Sequence, residues 1–146
     1  MPIDFRLTDE NRLVQQTVRD FAEREILPNI REWDEKGEVH REVFALMADL
    51  GLLGAPIWEQ WGGSGMDYLS FAIICEELER ADTAFRVVQS VHVGLNSLTL
   101  MQWATEEQRQ RWLAPQARGE KLATFGLTEP GVGTDAANLA STARRD

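Results

Sequence analysis

The residues of this 146-residue chain best suited to chemistry lie at 125–135, FGLTEPGVGTD. Thr128 and Thr134 bring hydroxyls, and the backbone over 131–135 brings a cluster of N–H donors. Such donors suit the polar edge of a ring cofactor or a phosphate. Pro130-Gly131 signals a turn in which Pro presets φ and Gly supplies a positive φ. Gly133 has no Cβ, so a ligand can approach its backbone closely. A solvated turn with no ligand has the same composition, and residue types alone leave both readings open.

Other candidates are scattered. Arg86 precedes Ser90 by four residues, so a helix projects both to one face. A guanidinium there can bind both oxygens of a carboxylate, or it can pair with Asp82 or Glu79 of its own chain. His92 and Gln89 lie in an apolar stretch and read as satisfied polar core residues. Cys75, the single cysteine, reads as a buried, inert thiol. Two His without an HExxH or Cys/His pattern imply no metal site.

The elements that must position these residues read as helices. Thr8 or Asp9 caps a helix over 9–27, with Val14, Val18, Phe21 and Ala22 on one face, and Pro28 ends it. A short helical piece over 29–35 breaks at Lys36-Gly37. The next helix, 41–50, turns Val43, Phe44, Met47 and Leu50 inward and stops at Gly51. Residues 54–66, GAPIWEQWGGSGM, form a loop. Its Trp58 and Trp61 either pack on their own domain or wall a ligand or a neighbouring domain.

Asp67 caps a central helix over 68–80. Asp82 or Thr83 caps a long apolar helix reaching about residue 104. Arg86, Gln89, His92, Asn96 and Gln102 would all need partners in lipid, so a buried helix of a bundle is expected rather than a membrane span. Thr105 and Gln108 make a capping box for a last helix, interrupted at Pro115 and closed by Gly119. Residues 121–127 read as a short strand. The expected fold is therefore mainly α, a bundle of five or six helices followed by the first strand or strands of a β-domain.

Composition sets bounds. With 24 acidic and 15 basic residues the net charge is -9, which disfavours a general nucleic-acid surface. At 43% hydrophobic residues the chain is not disordered, and its length suits one domain. MPIDFRLTDE lacks the regions of a signal peptide, and one cysteine allows no internal disulfide, so the cytoplasm is the expected location.

Taken together, the chain resembles the N-terminal half of an acyl-CoA dehydrogenase. Four stretches carry the likeness: LMADLGLLGA (46–55), WGGSGM (61–66), TEEQRQRWLAPQARGE (105–120) and FGLTEPGVGTD (125–135). The resemblance implies a helical N-terminal domain over 1–120 and the start of the middle β-domain over 121–146. It implies FAD as cofactor, an acyl-CoA substrate and an electron-transfer flavoprotein as partner. Phe125, Leu127 and Thr128 would lie along the isoalloxazine. Gly133 and Thr134 would contact the cofactor, and Thr134 would also touch the CoA side of the substrate. In relatives of the glutaryl-CoA dehydrogenase type, an Arg and a Ser matching Arg86 and Ser90 bind the substrate's distal carboxylate.

In this family the proton-abstracting carboxylate belongs to a later part of the chain, so no catalytic base is expected here and the 146 residues alone are expected to be inactive. The full-length protein is expected to be a homo-oligomer, commonly a tetramer. An acyl-CoA oxidase or flavin monooxygenase of the same fold stays open, as does a non-catalytic helical association module or split subunit.

Overall fold

The computed structural model describes residues 6–38 and 40–145. Residues 1–5, read above for a signal peptide, lie outside them. Helix α1 (Asp9–Phe21) continues through a wider π turn, Ala22–Ile26. Then come α2 (Ile30–Lys36), α3 (Arg41–Asp49) and α4 (Tyr68–Ala81). Helix α5 (Thr83–Ser90) runs through a π segment, Val91–Ser97, into α6 (Leu98–Trp103). Helix α7 (Glu106–Gln108) passes through the π turn Arg109–Leu113 into α8 (Ala114–Ala117). The mainly α bundle expected from the sequence is present.

Local chemistry explains the starts. The Thr8 hydroxyl accepts the Asn11 N–H at 3.1 Å while Asn11 Oδ1 accepts the Thr8 N–H at 3.3 Å. This is a capping box, so Thr8 rather than Asp9 caps α1. Asp67 accepts the Ser70 N–H at 2.6 Å and Asp82 accepts the Ala84 N–H at 2.8 Å. Thr105 and Gln108 form the second box. Buried Asn11 also donates to Ser70 Oγ at 3.0 Å, joining α1 to α4.

Packing follows the apolar faces. Val18, Phe21, Ile26, Met47, Leu53, Ile74, Leu78 and Phe85 belong to the main core. A second cluster holds Ile57, Trp61, Met101, Leu113 and Ala117. Among the described residues, no helix is long and apolar enough to cross a membrane.

Several details differ from the sequence reading. Leu50, expected inward, caps the end of α3 and is exposed. The last helix is not interrupted at Pro115. The π turn shifts the hydrogen-bond ladder just ahead of a residue that has no N–H to give. Residues 122–128 belong to no strand, because a ladder needs an adjacent strand and none lies beside them among the described residues. A single antiparallel bridge, Glu129 to Val132, is the β feature that follows.

The two loop tryptophans part company. Trp61 is buried in the second cluster, while Trp58 is exposed. Residues 64–66 fold back on 54–57 through Ser64 N–H to the Gly54 carbonyl (3.0 Å), Gly65 N–H to Ile57 (2.9 Å) and Met66 N–H to Ala55 (2.7 Å). A Cβ on Gly63 would fall 2.1 Å from the Ile57 carbonyl oxygen, so this close pairing requires glycine there. Burial of Trp61 contributes on the order of 2–3 kcal/mol to holding the loop on its own domain.

Candidate functional site

The path to the candidate site starts at Gly119. Its N–H donates to the Gln116 carbonyl at 2.9 Å and the Glu120 N–H to Pro115 at 2.9 Å, which is a Schellman ending with Gly119 at φ 70°. The chain then crosses the long helix. Leu122, Ala123 and Phe125 share with Phe44, Val87 and Val91 the lining of an open groove of about 740 Å³.

Beyond the groove the loop is open. Phe125 is 51% exposed and Leu127 38%, and both are large apolar side chains. Thr128, Gly133 and Thr134 are exposed as well. Within the described residues the hydroxyls and N–H groups of Thr128 and Thr134 make no hydrogen bond. No atom lies within 4 Å of where a Cβ would stand on Gly126, Gly131 or Gly133. Apolar faces, free donors and open glycine backbone fit a flat ring with a polar edge, so these residues suit a flavin.

Two expectations about this loop are corrected. Gly131 does not take a positive φ. Glu129 and Val132 exchange both backbone bonds, each 3.0 Å, around Pro130-Gly131, and a turn of type I closes with both central residues at negative φ. The Val132 N–H is consequently committed to Glu129 and is not part of the donor cluster.

Glu129 is a brace. Its carboxylate accepts the Ala140 N–H at 2.8 Å and the Ser141 N–H at 3.0 Å. Hydrogen bonding with Ser141 and the Ala140 amide holds its pKa below the usual carboxylate range. A carboxylate so stabilised is a weak proton acceptor.

Arg86 and Ser90 do share a helix face. Arg86 Nη1 lies 3.5 Å from Ser90 Oγ, and its Nε is bonded to Glu79. The sequence left Asp82 and Glu79 as alternative partners, and the fold selects Glu79. The Arg86 hydrogen bond holds the Glu79 carboxylate below its ordinary pKa. Neither Arg86 nor Ser90 lines the groove beside Phe125.

Other candidates are accounted for by the core. Gln89 is fully buried and donates to the Leu52 carbonyl at 2.6 Å, but its Oε1 has no partner among the described residues, so it is half satisfied rather than satisfied. Cys75 is half-buried, and desolvation pushes its thiol up, away from reactivity. His92 is fully buried between Gln116 and Ala123. The second of these contacts was not legible in the sequence, since nothing local marks residue 123 as its partner. A second groove of about 680 Å³, lined by Trp58, Tyr68, Leu98, Met101 and Arg109 among others, also escaped the sequence reading.

Comparison with known proteins agrees with the helical fold. The family model for the acyl-CoA dehydrogenase N-terminal domain matches residues 8–120. A short-chain specific acyl-CoA dehydrogenase of Clostridium acetobutylicum is 42% identical over 133 residues, 91% of this chain and 35% of that protein. Butyryl-CoA dehydrogenase from Megasphaera elsdenii superposes with a TM-score of 0.87 at 37% identity, covering 92% of this chain and 36% of that one. A glutaryl-CoA dehydrogenase from Mycobacterium smegmatis, solved with FADH2, superposes with a TM-score of 0.90 at 34% identity, covering 96% and 36%. The chain spans about a third of the length of the curated relatives it matches. With this fold, this loop and these matches, the chain belongs to the acyl-CoA dehydrogenase family.

Proposed function

We propose that this chain supplies the helical N-terminal part and the flavin loop of an FAD-dependent dehydrogenase of acyl-CoA thioesters. The reaction removes a proton from the α carbon and a hydride from the β carbon, leaving a trans-2-enoyl-CoA. FAD, when bound, supplies the acceptor for that hydride. The observation that carries the reading is the open loop itself, with Phe125, Leu127 and unpaired Thr128 and Thr134 donors beside an apolar groove.

Each residue has a defined task on this reading. Phe125 and Leu127 lie along the ring and exclude water. The Thr128 hydroxyl and N–H meet its polar edge and stabilise charge there. Gly133 permits close backbone approach, and Thr134 reaches the cofactor and the CoA side of the substrate. Glu129 shapes the loop and takes no proton; the family resemblance assigns the α-proton to a carboxylate of a later part of the protein. An electron-transfer flavoprotein takes the electrons onward, and the full-length protein works as a homo-oligomer.

The test is spectroscopic. The protein containing this chain is expected to carry a yellow flavin that bleaches when butyryl-CoA or glutaryl-CoA is added without oxygen. A flavin that neither compound bleaches, or a protein that holds no flavin, overturns the proposal.

Arg86 and Ser90 set a finer preference for acyl groups with a distal carboxylate. Glu79 already bonds the Arg86 Nε, so it competes with a substrate carboxylate for the same cation. Arg86→Met is expected to lower kcat/KM for glutaryl-CoA by about 10- to 100-fold, the loss of a hydrogen bond to a charged group, with little change for butyryl-CoA. Glu79→Gln is expected to shift preference toward the dicarboxylic substrate. Equal losses for both substrates would leave Arg86 a structural partner of Glu79 only.

A further inference from the structure

Residues 122–128 lead into the flavin loop, yet they belong to no strand. Among the described residues one hydrogen bond ties them to the helical body, from the Ala123 N–H to His92 Nδ1 at 3.0 Å. His92 lies in the π segment Val91–Ser97, is 0% exposed, and places its Nε2 3.1 Å from the Gln116 carbonyl oxygen. An amide N–H can only donate and a carbonyl can only accept. One neutral tautomer, protonated at Nε2 and bare at Nδ1, therefore satisfies both contacts.

We propose that His92 is a positioning residue for the flavin loop, acting from inside the core through its bare Nδ1 on Ala123. The inference rests on the flavin reading of that loop.

Three observations support it. The π segment widens the helix at this point, and two of its carbonyls also take side-chain donors: Ser97 Oγ donates to the His92 carbonyl at 3.0 Å and Asn96 Nδ2 to Val91 at 3.1 Å. Gln116, whose carbonyl meets His92 Nε2, also places its Oε1 3.1 Å from Ser97 Oγ. Burial holds the imidazole below its ordinary pKa, which keeps the required neutral form.

The charges beside the segment are Arg41 and Glu120, which line the groove with Ala123. Residues 52–54 and Ala114–Ala117 carry no titratable side chain. Past α8, Arg118 pairs with Glu120, and Lys121 lies 5.0 Å over the Trp112 ring. Arg109 sits over Trp61, and Arg86, on the same helix as His92, is held by Glu79. An imidazolium would turn an Nδ1–H toward the Ala123 N–H, so acid releases the segment.

The test compares His92→Asn, which keeps an acceptor near the Nδ1 position, with His92→Gln, which keeps only a donor near Nε2. Amide hydrogen exchange in the full chain is read at Ala123, with Ile74 of α4 as the core reference. His92→Gln is expected to speed Ala123 exchange about tenfold over His92→Asn, with Ile74 alike in both. Ala123 protection in the wild type is also expected to fall as the solution is acidified, with the His92 nitrogen shifts reporting the protonation.

Equal Ala123 exchange in the two variants, or a wild-type His92 protonated at Nδ1 near neutral pH, overturns the proposal. If either variant unfolds, the wild-type nitrogen shifts and Ala123 protection decide it alone. FAD affinity of the same proteins is a separate readout. An Ala123 difference without flavin binding in any of them would overturn the flavin reading while leaving the placement by His92 standing.

Discussion

Replacing both Arg19 and Arg80 by Met is expected to destabilise the chain by about 3–5 kcal/mol, the cost of leaving a buried charge without partners. The charge is Glu77 of α4, whose side chain is 1% exposed. Arg19 reaches it from α1 as a two-point fork, Nε to Oε2 at 3.0 Å and Nη2 to Oε1 at 2.6 Å. Arg80, one turn along α4, adds Nη1 to Oε2 at 2.7 Å. Both guanidiniums keep contact with water while the carboxylate does not, so removal falls hardest on Glu77. Each single replacement leaves one partner and is expected to cost about 1–3 kcal/mol.

Adding Glu77→Leu to the double variant is expected to recover most of the loss, because a buried ion cluster and a packed apolar side chain of similar size are close in stability.

The same cluster sets an acid response. The hydrogen bond from Arg19 is the largest influence lowering the Glu77 pKa. A depressed carboxylate contributes stability that is present above its unfolded pKa of 4.5 and lost as pH falls through the folded value. In the double Met variant burial acts alone and disfavours the charge, so protonation relieves it. Urea titrations should therefore show a wide gap between wild type and variant at about pH 7 and a narrow one at about pH 3.5. A gap independent of pH would mean that packing, not charge, joins these helices.

Gly119→Ala is the second large effect, about 2–4 kcal/mol of lost stability. Two causes add. Gly119 sits at φ 70°, where a Cβ is strained. That Cβ would also stand 2.3 Å from Ala48 Cβ and 3.2 Å from Leu53 Cδ1. Gly37 separates the causes, since its φ is 65° but nothing lies within 4 Å of its Cβ position. Gly37→Ala is expected to cost only about 1 kcal/mol. Ala48→Gly in the Gly119→Ala background should return part of the difference. Equal midpoints for the two alanine variants in chemical denaturation would refute the close approach of α3 to this turn. Because Gly119 aims the chain toward Leu122 and Phe125, Gly119→Ala should also weaken flavin binding more than Gly37→Ala does.

These cases mark the division between what residue order decides and what the fold decides. Thr8, Asp67, Asp82 and Thr105 were legible as helix starts, because a cap acts on an amide two or three residues away. The apolar faces of α1 and α3 were legible from helical spacing, and 125–135 as a Pro-Gly turn with exposed donors. The sequence by itself thus determined the helical class and most helix starts.

Tertiary structure decided which polar residue meets which. Arg19 and Glu77 are 58 residues apart, and His92 and Ala123 are 31 apart. It buried Trp61 and left Trp58 open, and it left residues 122–128 outside any ladder. The reason is physical: capping and turn energies act within one helical turn, whereas burial, ion pairing and strand pairing depend on neighbours that only the packed chain brings close.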